Sequence, residues 1–151
     1  MKVIGTLFSL MIAAPAGAQL ASPCDWQARA DAIVEPWEEN TVTFAGGAVR
    51  VAHLDVAEPA AAAAYLLVLH PPADAVLGRT CTVIGQGEGL GYAGIQFDAL
   101  DASYDPATGL VLTVPAIIQP PDQTFPSRAL LNVQINQSTG DVVVTQEVGN
   151  E

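Results

Sequence analysis

The residues able to do chemistry in this chain are few. His53-Leu54-Asp55 places an imidazole and a carboxylate two residues apart, on one side of a strand. That spacing suits a polarised base or half of a metal site. It equally describes a surface histidine beside an acid. His70 stands before Pro71-Pro72, where a strand should end. Ser103, Ser127 and Ser138 sit in no nucleophile-elbow pattern. Asp98, Asp101 and Asp105 do not match the spacing of an EF-hand loop. The abundance of acids leaves carboxylate-dependent hydrolysis open as an alternative, as does the His53/Asp55 pair.

The glycine-rich segment runs from Gly85 to Gly94 and contains Gly89-x-Gly91-x-x-Gly94. A dinucleotide site requires a helix after such a loop, so that its N-terminus meets the pyrophosphate. Here a strand is expected to follow, and Glu88 would repel phosphate. No cofactor is expected. The segment reads instead as a β–β connection with several left-handed positions and a candidate contact surface, with Glu88 and Tyr92 as binding residues. A second candidate surface is Glu35-Pro36-Trp37-Glu38-Glu39, where Trp37, Glu38 and Glu39 combine an aromatic anchor with charge. A third is the proline-rich loop from Gln119 to Ser127, carrying Phe125.

Charge narrows the partners. The chain has 151 residues, with Lys+Arg 5 against Asp+Glu 16 and a net charge of −11. So few cations cannot build a nucleic-acid surface, and an anionic membrane would repel the chain. A basic protein or a small ligand is the expected partner. One concrete version is an inhibitor of a cationic hydrolase such as a lysozyme. The likeness to small exported β proteins of that kind is one of size, charge and class. A structural part of an envelope assembly is a further alternative, and acidity also arises in bacteria living in salt.

The first 18 residues read as a secretory leader. Lys2 is the basic start, Val3 to Ala14 the apolar stretch, and Ala16-Gly17-Ala18 a small-x-small cleavage site. A membrane span needs about 20 apolar residues, and Pro15 and Gly17 interrupt the run first. A lipoprotein would need a small residue before Cys24, where Pro23 stands. The expectation is therefore export to the periplasm or beyond, with no stable membrane insertion after cleavage. Loss of Lys2 would leave no lysine at all. In an oxidising compartment, Cys24 and Cys81 should form one disulfide closing a long loop. Paired metal spacings are missing, so no metal site is expected.

One domain, 19–151, remains to position these groups. A half-hydrophobic composition (50%) supports a core. A short helix is expected from Asp25 to about Val34, with Trp26, Ile33 and Trp37 covering a core edge. Strands follow at 41–44 and 48–56 around a two-residue Gly46-Gly47 hairpin turn. Then come a short helical turn in the alanine run after Pro59, a strand over 65–69, and strands at 79–84, 95–104 and 110–118. The last hairpin is the clearest. Ala129, Leu131, Val133 and Ile135 alternate with polar or outward positions, and Val142, Val144 and Val148 continue the face. The fold expected is mainly β: a small antiparallel sandwich or partly closed barrel of seven or eight strands with a short N-terminal helix.

Overall fold

The structure, a computed structural model, describes residues 19–76, 78–87 and 89–149. The expected leader lies outside the described residues. Two antiparallel five-stranded sheets face each other as a sandwich, not a closed barrel. The first sheet contains β1 (Ala21–Pro23), β2 (Thr41–Phe44), β3 (Val49–Asp55), β4 (Ala64–Asp74) and β5 (Gly78–Ile84), in the order β1-β5-β4-β3-β2. The second holds β6 (Gly94–Ile95), β7 (Asp101–Asp105), β8 (Gly109–Ile118), β9 (Ser127–Ile135) and β10 (Val142–Val148). Its order is β10-β9-β8, with β6 and β7 sharing the far side of β8.

Period-two patterning explains the core. Along β8, Leu110, Leu112, Val114, Ala116 and Ile118 turn inward; along β9, Ala129, Leu131, Val133 and Ile135 do so. They meet Val49, Val51, Leu66, Val68 and Ile84 of the first sheet. Burying each Val, Leu or Ile side chain among them contributes about 1.5–3 kcal/mol. Val142 and Val144 pack against this core, whereas Val148, at the end of the edge strand, stays half-exposed.

Several local expectations are corrected. The segment from Asp25 to Val34 is not an α-helix; it contains a single 3-10 turn, Ala30–Ala32. Both of its ends are tied to the sheet: Cys24 to Cys81, and the Val34 amide to the His53 carbonyl at 3.0 Å. A helix this short is marginal alone, and these strand-like ties prevail. The segment lies over the outer face of the first sheet and makes a second, smaller core there. Ala32 packs with Ala52, Leu54, Tyr65 and Val83, and Ile33 packs against them. Trp26 and Trp37 remain half-exposed instead of covering a core edge.

The β2–β3 hairpin closes through a 3-10 turn at Ala45–Gly47, with Phe44 opposite Val49, so its loop is longer than two residues. The alanine run does form a 3-10 turn, Ala60–Ala62, before a strand. That strand continues past His70 to Asp74; its register shifts between His70 and Ala73 because Pro71 and Pro72 lack ladder donors. The strand expected over 95–104 is broken by a 3-10 turn, Phe97–Ala99, which buries Phe97 in the core and leaves β6 and β7 as separate pieces. This break and the short β1 raise the strand count to ten among the described residues.

Candidate functional site

The groups singled out for chemistry are mostly occupied structurally. His53 Nδ1 donates to Asn40 Oδ1 at 3.1 Å, and its ring stacks on Phe97, centroids 6.0 Å apart. Burial holds its pKa below the ordinary value, with the Asp55 charge pulling the other way. Asp55 Oδ1 itself accepts the Ala57 amide at 2.7 Å. His70 is fully buried, its Nδ1 donating to the Pro71 carbonyl (2.8 Å) and its Nε2 accepting from the Thr82 hydroxyl (3.0 Å). Asp105 caps its own turn, accepting the amides of Ala107 and Thr108 at 2.7 and 3.0 Å, which lowers its pKa. Among the described residues, no three His, Cys, Asp or Glu side chains gather as a metal-holding group.

The expected binding residues that are described do not converge. Trp37, Glu38 and Glu39 share one exposed turn, where the Thr41 hydroxyl and Asn40 amide both donate to the Trp37 carbonyl. Phe125 is 78% exposed on a separate loop, braced by Gln119 Nε2 donating to the Gln123 carbonyl (2.8 Å). Glu88 lies outside the described residues. Tyr92 is corrected from surface to core: it is fully buried, its hydroxyl donating to the Gly85 carbonyl at 3.1 Å, and burial pushes its pKa up. The glycines of this segment serve close backbone approach. A β-carbon on Gly91 would lie 2.5 Å from the Ala64 carbonyl oxygen and 2.6 Å from that of Ala62. A strand, β6, follows the glycine-rich run, so the helix needed for a dinucleotide site is not there.

Two larger cavities remain. One, about 800 Å³, opens between the β2–β3 turn, the β7–β8 hairpin and the β9–β10 turn. Its polar side chains are partly spent on turns: Asn136 Oδ1 accepts the amides of Ser138 and Thr139. The other, about 630 Å³, lies between the N-terminal segment and the glycine-rich connection. The disulfide positions one wall by holding Cys24 against β5, so that Asp25, Trp26 and Gln27 extend along the outer face. The connection after β5 supplies the other wall, with Leu90 at its tip.

Tyr65 joins the walls. Its ring meets Trp26 edge to face, centroids 6.4 Å apart at 79°, and its hydroxyl donates to the Gly89 carbonyl. Burial raises the Tyr65 pKa, against the opposing pull of Gln27 and the Gly91 backbone. Trp26 and Leu90 are each 48% exposed. Gln27 is only 6% exposed, yet its Oε1 is buried with no hydrogen-bond partner among the described residues. This cleft contains part of the predicted glycine-rich surface; Tyr92 is not among its lining residues. Sequence reasoning misses Asp25, Gln27 and Leu90 as site residues and expects Trp26 at a core edge. The clue was the disulfide itself, which carries residues 25–27 toward the segment after β5. No known protein family, curated protein or solved structure matches the chain.

Proposed function

We propose that this chain is an exported acidic β-sandwich of the bacterial envelope that works by binding a basic protein or small ligand, without turnover. The observation that carries this reading is the cleft beside the disulfide. Two large, half-exposed apolar side chains, Trp26 and Leu90, arrive there from distant parts of the chain. An aromatic anchor in a concave, mostly preformed site is what binding surfaces use. A net charge of −11 favours encounter with cationic partners. The disulfide supports the export reading, since such crosslinks persist in oxidising compartments. Among the described residues, no helix is long and apolar enough to cross a membrane.

The test is calorimetry of the disulfide-bonded protein, started at Gln19, against a panel of basic proteins that includes a lysozyme. Salt-sensitive, saturable binding is expected, together with inhibition where the partner is a hydrolase. Hydrolysis of model ester or glycoside substrates that disappears in His53→Ala, with no binding across the panel, would overturn the proposal.

A further inference from the structure

The lining of the Trp26 cleft has a one-sided chemistry. Its described side chains include an acid, a buried amide oxygen and two aromatic rings, and no Lys, Arg or His. The carboxylate of Asp25 is unspent: the only ion pair among the described residues joins Arg29 to Asp31 at 3.3 Å. Gln27 Oε1 is a buried acceptor with no donor among the described residues. The perpendicular contact with Tyr65 leaves about half of the Trp26 surface open.

From this we infer that the cleft receives a guanidinium side chain presented by a basic protein partner. The inference rests on the binding reading above and names the group that is read. A guanidinium is planar and weakly hydrated, stacks on indole, and offers five donors for a carboxylate and an amide oxygen. An ammonium is compact and strongly hydrated, and gains less from a half-open indole. At about 630 Å³ the cleft also accommodates the peptide flanking the arginine. Arg29, the arginine nearest to these residues in sequence, is paired with Asp31.

The probe is the blocked peptide acetyl-Gly-Arg-Gly-Arg-Gly-amide, titrated calorimetrically into the disulfide-bonded protein beside its citrulline counterpart. The arginine peptide is expected to bind about tenfold more tightly than the uncharged one, while Asp25→Asn and Trp26→Leu each weaken it about fivefold. Asp122→Asn, an equal loss of charge elsewhere on the surface, should leave binding unchanged. Equal affinity for the citrulline peptide overturns the inference. So does arginine binding that ignores both cleft variants; in that case the basic-partner reading survives and only its location fails. Failure of the peptide and of every basic protein in the panel removes both.

Discussion

Cys24 is joined to Cys81 twice: by the disulfide, Cα atoms 5.3 Å apart, and by the Cys24 amide donating to the Cys81 carbonyl at 3.1 Å. The pair therefore continues the β1–β5 ladder as well as crosslinking it. Through it the N-terminal segment is held to the sheet whose outer face it covers.

Breaking this link should be costly. The cysteines are 57 positions apart, and closing a loop of that length stabilises by roughly 4 kcal/mol in the chain-entropy account. Chemical denaturation with and without reductant should show a loss of that order, as should Cys24→Ser with Cys81→Ser. Mass spectrometry of the purified protein should find two hydrogens fewer than the dithiol. An unchanged midpoint on reduction would contradict the crosslink's role.

His53 should make stability depend on pH. Its folded pKa lies below the ordinary 6.5, burial being the main cause. Between those two values the unfolded chain holds more protons than the folded one. The contribution is thus complete above about pH 6.5 and is lost as pH falls through the folded value. Comparing melting curves at pH 5 and 7.5 should show this component in the wild type and not in His53→Gln. A pH response identical in both proteins would rule it out.

Adjacent residues on β9 test the register. Leu131 is fully buried between the sheets, while Leu130 points outward and is exposed. Leu131→Ala should cost about 2–5 kcal/mol and Leu130→Ala well under about 1 kcal/mol. Equal losses in urea melts would mean that the strand faces are misassigned.

The glycines should tolerate substitution unevenly. Gly91→Ala forces a methyl against the Ala62 and Ala64 carbonyls and should cost about 2–3 kcal/mol. At Gly46, φ is +64° but nothing lies within 4 Å, so Gly46→Ala should cost about 1 kcal/mol, the price of a left-handed alanine. Thermal melts of both variants decide the order.

Local alternation makes an antiparallel β fold legible from residues alone, while the choice between a sandwich and a partly closed barrel comes from the strand pairing. The faces of β8 and β9 follow directly from period-two hydrophobicity, because a strand buried on one side leaves a trace at every second residue. The crosslink was equally readable, from an even cysteine count behind an apparent leader. Where local signals were weak, long-range contacts decided. Asp25–Val34 has the composition of a short helix, yet its two ends are tied to the sheet at Cys81 and His53 and only turns form between them. Tyr92 sits in a glycine run that looks like surface, but the glycines let its backbone approach Ala64 and draw the ring inward. The cleft belongs to this second class. Trp26 and Leu90 become neighbours only when β5 accepts Cys24, and no periodicity within either segment encodes a contact across that distance. Residue spacing dictates which faces are apolar; strand pairing dictates which distant side chains share a wall, because adjacency across a sheet is independent of separation along the chain.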